Sequence, residues 1–222
     1  MSGANWERSS ALTPLKHDLL IALFRHTRDF FLTGGSALGI FYLDHRRSYD
    51  LDLFSVEDVD WHRLSNDIAV IGKEIGADIR QITASVTFRR YIAERAGEKE
   101  TIDFVRELAP QICQVKNEFG EIRVDTLEEI TVNKWCALLG RSEIKDLVDL
   151  YFLSQRLDVW ALFDRAHEKE GGVEPSILSY LVSQIPIAEI PDYLIAPLTI
   201  EALSDFVACM RRFLDEKSFP EI

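Results

Sequence analysis

Asp50 and Asp52 stand two residues apart in the run Asp50-Leu51-Asp52-Leu53-Phe54. If that run is a strand, both carboxylates share one face about 7 Å apart along the chain, while Leu51 and Leu53 enter the core. Two like charges so placed attract a cation. Mg2+ suits them, because it takes hard carboxylate oxygens and fills its remaining positions with water and substrate phosphates. A pair of such ions about 3.5 to 4 Å apart activates an attacking oxygen and stabilises a leaving pyrophosphate. Gly34, Gly35 and Ser36 precede the pair. The glycines let backbone approach a phosphate, the helix start after them offers free N–H groups, and Ser36 adds a hydroxyl. A second acidic pair, Asp58 and Asp60, sits where a helix begins and is assigned to its first turn.

Other residues qualify less directly. Asp103 lies between Ile102 and Phe104 in an apolar stretch. An acid there is costly unless paired, which makes it the candidate third metal carboxylate, although the wet face of an edge strand accounts for it as well. Arg46 and Arg47 are placed to lean over a nucleotide; Arg89, Arg90 and Arg95 could form a basic strip for an acceptor, although solvated surface charge is the commoner explanation of such a set. Lys134, Arg141, Asp146 and Asp149 occupy two successive helical patterns. Lys134 could neutralise a triphosphate, and Asp146 could orient it or accept a proton. On spacing alone the four read as interhelical ion pairs, each worth ~0–1 kcal/mol if exposed. Tyr151, Phe152 and Trp160 fall at helical spacing and read as core.

The elements that must position these residues follow from periodicity and punctuation. Thr13-Pro14 opens a helix over 15–28. A buried strand over 30–33 turns at Gly34-Gly35 into a helix over 37–44, and the Asp50 strand covers 49–54. A helix to residue 75 and strands over 77–82, 86–93 and 101–105 come next. A small hairpin is expected to pair 112–115 with 122–124. Beyond it every pattern is helical: 127–139, 144–153, 158–167, 175–184 and 201–216. The fold class is α+β, with an α/β domain over 1–125 and a helical domain over 126–222.

Composition narrows the classes further. The chain of 222 residues is 47% hydrophobic and 28% charged, as in ordinary globular proteins. A net charge of −12 argues against indiscriminate nucleic-acid binding but leaves room for a local basic cleft. Cys113, Cys136 and Cys209 fit neither a disulfide framework nor a thiolate metal site, and the five histidines are too scattered for zinc. The first ten residues carry Asn5, Glu7 and Arg8 with no apolar signal core, and no apolar run reaches the roughly 20 residues of a membrane span. A cytoplasmic protein without membrane attachment is expected.

Two blocks together resemble a known family. Phe31-Leu32-Thr33-Gly34-Gly35-Ser36-Ala37-Leu38 with His45-Arg46-Arg47-Ser48-Tyr49-Asp50-Leu51-Asp52-Leu53-Phe54 is similar to the first motif of the AbiEii/AbiGii toxin nucleotidyltransferases. The second block begins at Ile122-Arg123-Val124 and runs through Leu127-Glu128-Glu129-Ile130, Lys134 and Arg141 to the segment 145–153. The resemblance implies a polymerase-β-like nucleotidyltransferase fold, a mixed sheet with flanking helices followed by a helical lobe. It implies Mg2+-dependent transfer of a nucleotide from an NTP to an acceptor such as tRNA or a protein, and a toxin silenced by an antitoxin encoded nearby. It places Lys134 and Asp146 beside Asp50 and Asp52 as catalytic residues. Gly34, Gly35, Ser36, Arg46 and Arg47 would then hold the nucleotide, and Asp50, Asp52 and Asp103 the metal. Transfer to a small aminoglycoside-type molecule and a non-catalytic nucleotide-binding module are the alternatives.

Overall fold

The computed structural model describes residues 6–218; the first five residues of the polar start and the last four lie outside the described residues. The chain divides into two compact units, one holding the chain up to Leu108 with Val115–Thr126, the other Ala109–Gln114 with the chain from Leu127 onward.

The first unit is built on a seven-stranded sheet. Its elements are α1 (Pro14–His26), β1 (Phe31–Thr33), α2 (Gly34–Ala37), β2 (Asp50–Ser55), α3 (Trp61–Ile75), β3 (Asp78–Ala84), β4 (Phe88–Arg95), β5 (Glu98–Arg106), β6 (Asn117–Phe119) and β7 (Ile122–Val124). The strand order is β3-β4-β5-β2-β1-β7-β6. β1 runs parallel to β7 and β2 parallel to β5, with antiparallel pairing elsewhere, so the sheet is mixed. Burial alternates along β2: Leu51, Leu53 and Ser55 are buried, and Asp50, Asp52 and Phe54 are half-buried on the other face. Leu51 and Leu53 lie beside Ile102 and Phe104 of β5, and Phe104 meets Phe30 and Tyr91 edge-on. That apolar layer fixes the register and thereby the face to which Asp50 and Asp52 are confined.

The Thr13 side chain accepts from the Lys16 N–H at 3.1 Å and caps α1, with Pro14 in its first turn. Thr13→Ala is expected to lower the unfolding free energy by about 1 kcal/mol, read from urea melts.

Several elements differ from the sequence expectation. The helix anticipated at residue 37 begins at Gly34, whose φ of 67° makes the turn within the strand end. Its continuation, Leu38–Leu43, is a π-helical turn closed by the Asp44 N–H on the Gly39 carbonyl at 3.1 Å. α3 begins at Trp61 because Asp60 caps it, accepting from the His62 and Arg63 N–H groups. The strand expected over 112–115 does not form, and Asn117–Phe119 pairs with Ile122–Val124 instead. The segment before it belongs to the helical unit, where the buried Glu129 carboxylate accepts the Cys113 N–H at 2.7 Å and pairs with Lys169.

The second unit comprises α4 (Leu127–Gly140), α5 (Ile144–Ser154), α6 (Phe163–Lys169), α7 (Pro175–Ser183) and α8 (Ile200–Ser218). α6 starts later than expected because Asp158 accepts from the Trp160 and Ala161 N–H groups and holds a turn there. Trp135 is fully buried, donates to the Val159 carbonyl at 3.0 Å and packs against Phe163 and Phe213. Tyr151 and Trp160 meet Phe206, and Tyr151, Phe152 and Trp160 are half-buried at the margin of the core rather than within it. Among the described residues no helix is long and apolar enough to cross a membrane.

Candidate active site

Strand register assembles a polar row across the first unit. Thr33 of β1 lies beside Asp52 of β2, Asp52 beside Asp103 of β5, and Asp103 beside Arg90 of β4. Directly paired residues share a face, so four strands contribute to one surface. Asp50 lies one pleat away on the same face. Asp103, 5% exposed, receives both arms of the Arg90 guanidinium, Nε on Oδ1 at 2.7 Å and Nη2 on Oδ2 at 2.6 Å. The hydrogen bonds that Arg90 donates to Asp103 hold it more firmly protonated than usual against the opposing effect of burial, and the charges of Asp103, Asp50 and Asp52 add to this. Arg90 is therefore the sheet's counter-ion for the acidic row. The basic strip with Arg89 and Arg95 does not form, because those two have different neighbours: Arg89 stacks over Trp61 and Arg95 pairs with Asp18.

The glycine turn closes on this row. A Cβ at Gly34 would stand 2.4 Å from Asp52 Oδ2, and one at Gly35 would stand 2.5 Å from Arg46 Nη2 and 2.8 Å from Ser48 Oγ. A side chain at either position would have to push Asp52 or Arg46 aside, and at Gly34 the positive φ of 67° adds strain for any other residue. Ser36 donates its hydroxyl to the Asp50 carbonyl, and Ser48 donates to Asp50 Oδ1 at 2.7 Å. The Ser36 side chain thus ties α2 to β2. Arg46 is buried beside Gly35 with Nη1 on the Arg47 carbonyl, whereas Arg47 is exposed.

Two contributors escaped sequence reading. Ser48 is a short polar residue in a polar connection and carries no signal. Lys16 does carry one: it shares the apolar face of α1 with Leu19, Leu20 and Leu23, where a lysine needs a partner. It is 2% exposed, donates to the Ser48 carbonyl and pairs with Glu100 at 3.1 Å. Burial raises the Glu100 carboxyl, with Lys16 and Thr13 opposing it.

Lys134 and Asp146 lie in the helical unit within a buried network. Lys134 Nζ reaches Asp146 Oδ1 at 3.0 Å and Asp149 Oδ2 at 2.7 Å, and both carboxylates are 0% exposed. Arg141 adds Nε on Asp146 Oδ2 at 2.8 Å and Nη2 on Oδ1 at 2.7 Å. The interhelical ion pairs that spacing suggests do form, with Lys134, Asp146 and Asp149 interior and Arg141 reaching in from the surface. Burial opposes ionisation of Asp146, but Arg141 and Lys134 outweigh it and hold the carboxyl below the usual aspartate range. A depressed folded value contributes stability above the unfolded aspartate value, and that stability is lost as pH falls through the folded one. Acid titration of stability below about pH 4 is expected to show a wild-type decline that Asp146→Asn flattens.

Among the described residues no three His, Cys, Asp or Glu side chains are grouped as a ready metal cage. Mg2+ commonly uses one or two carboxylates and completes its shell with water and substrate. The donor chemistry of Asp50 and Asp52, half-buried on one face next to the glycine turn, fits that ion. Asp103 stands beside Asp52 with its oxygens on Arg90.

A crystal structure of a protein from H. pylori, described as a candidate nucleotidyltransferase, is similar with a TM-score of 0.61 and 20% identity over 92% of this chain and 93% of that one. The crystal structure of JHP933 from Helicobacter pylori matches with a TM-score of 0.59 and 20% identity over 92% and 90%. These likenesses are of fold. No curated protein matches the chain. The family model described as nucleotidyl transferase AbiEii toxin, Type IV TA system, matches residues 18–222. With a match spanning α1 to the C-terminus on top of that fold, the chain belongs to the AbiEii nucleotidyltransferase family of toxin–antitoxin toxins.

Proposed function

We propose that this chain transfers a nucleotide from an NTP to a macromolecular acceptor, RNA such as tRNA or a protein, with Mg2+ held by Asp50 and Asp52. The observation that supports the reading is the close approach of the Gly34 turn to Asp52, where an added Cβ would stand 2.4 Å from Oδ2, so that a helix start suited to phosphate lies beside a carboxylate row. When bound, Mg2+ supplies charge neutralisation and Lewis-acid stabilisation at the transferring phosphoryl group. The remaining work falls to the chain. Backbone N–H groups at Gly34, Gly35 and Ser36 orient the triphosphate, and Arg46 and Arg47 add positive charge beside it. Ser48 fixes the Asp50 carboxylate, and Asp103 stands as third acid with Arg90 as its counter-ion. Lys134 and Asp146 serve the reaction through the arrangement of α4 and α5 that their network holds.

In this reading the protein acts in the cytoplasm and is kept in check by a partner antitoxin. Incubation of the full chain with α-labelled NTPs, Mg2+, total tRNA and cell protein is expected to label one acceptor class. Absence of label on every acceptor, the chain itself included, overturns the reading. In cells, expression is expected to slow growth; protection from an aminoglycoside without growth arrest would assign a small-molecule acceptor instead.

Gly34→Ala probes the turn. A φ of 67° is unfavourable for alanine by roughly 1–2 kcal/mol, and the new methyl must displace Asp52. Misplacement of reacting groups by about 1 Å costs on the order of a hundredfold, so transfer is expected to fall by that factor while the fold persists in circular dichroism.

A further inference from the structure

Thr33 ends β1 immediately before Gly34 and, in the sheet, lies beside Asp52. Its hydroxyl donates to Asp125 Oδ2 at 2.7 Å, 92 residues away in sequence. Asp125 is 1% exposed, and every polar group it has is engaged around this turn. Oδ1 accepts from Lys116 Nζ at 2.6 Å. The N–H donates to the Leu32 carbonyl at 2.8 Å, which extends the parallel pairing of β7 with β1. The carbonyl accepts from the Tyr42 hydroxyl at 2.6 Å, and Tyr42 accepts in turn from Asn117 Nδ2 at 2.9 Å. Tyr42 belongs to the π-helical turn that continues α2. One buried carboxylate residue therefore grips the strand before the Gly34-Gly35 turn and the helix after it. A buried aspartate is costly unless such partners satisfy it, and a network of this kind rigidifies what it joins.

We infer that Asp125 is a positioning residue for the phosphate-binding turn, acting through Thr33 and Tyr42 to hold Gly34 and Gly35 against Asp52 and Arg46. The inference rests on the proposed transfer for its functional consequence, but its structural content can be measured independently. Neither Asp125 nor Thr33 needs to touch the nucleotide. Loss of either bond frees the turn while the carboxylate row and its apolar backing remain.

Hydrogen exchange on the full chain tests this, with Asp125→Asn, Thr33→Val and Thr33→Ser compared with wild type. Loss of a charge-assisted buried hydrogen bond is expected to speed exchange in residues 34–43 by about tenfold in Asp125→Asn and Thr33→Val. Thr33→Ser, which keeps the hydroxyl, is expected to match wild type, and α3 is expected to exchange unchanged in all three. In transfer assays the same two loosened variants should raise KM for the NTP more than they lower kcat. Unchanged exchange at 34–43, or equal acceleration throughout the unit, overturns the inference. If the exchange pattern appears while wild type transfers no label, the positioning of the turn is supported and the transfer reading falls.

Discussion

Asp50→Asn and Asp52→Asn are each expected to reduce nucleotide transfer by on the order of a thousandfold while leaving the melting temperature within a few degrees of wild type. Removing one anionic oxygen donor from a metal-phosphate site forfeits several kcal/mol of charge stabilisation, and each 1.36 kcal/mol is tenfold in rate. The fold should tolerate both changes, because the two side chains are half-buried on the face opposite Leu51 and Leu53, and asparagine preserves their shape. Asp52→Asn should be the more severe for nucleotide binding, since Asp52 is the carboxylate against which the Gly34 turn closes. Asp50 is held by Ser48 and by the Ser36 bond to its carbonyl, so its asparagine variant should retain position and lose charge. Initial rates across a range of NTP concentrations, with thermal melts on the same samples, check these expectations.

Lys134→Met is expected to destabilise the helical unit by about 3–5 kcal/mol, because it takes from two fully buried carboxylates the cation they share. Arg141 still reaches Asp146 and keeps a cation on that carboxylate. The double variant Lys134→Met with Asp149→Leu removes the cation and the Asp149 carboxylate together, and is expected to recover much of the loss. Urea melts of the two variants decide this. If transfer returns with stability in the double variant, Lys134 acts through the arrangement of α4 and α5. If stability returns and transfer does not, Lys134 contributes its charge to the reaction.

The parts of the site written into local sequence were legible, and those made by register were not. Alternation of Asp50, Leu51, Asp52 and Leu53 is a period-2 pattern that fixes which side chains share a face whatever lies beside the strand. Thr33-Gly34-Gly35 likewise announces a tight passage into a helix, although only the fold reveals that the helix starts at Gly34 and widens into a π turn. The Arg90 pair with Asp103 depends on how β4 and β5 are aligned across their hairpin, which a single sequence leaves open. The grip of Asp125 on Thr33 joins residues 92 apart and has no periodic signature. Lys134 and Asp146 were visible at their spacing, but their burial was not, because the residues that cover a helical face come from other helices. The strand expected over 112–115 failed for a related reason: the Cys113 N–H finds a partner in Glu129.

The most direct test of the carboxylate row and glycine turn as a metal-nucleotide site is Mn2+ binding followed by electron paramagnetic resonance with a non-hydrolysable NTP. Wild type should be compared with the double variant Asp50→Asn, Asp52→Asn. Nucleotide-dependent Mn2+ binding to wild type and its loss in the folded double variant is the predicted result. Equal Mn2+ binding by both proteins would contradict the assignment.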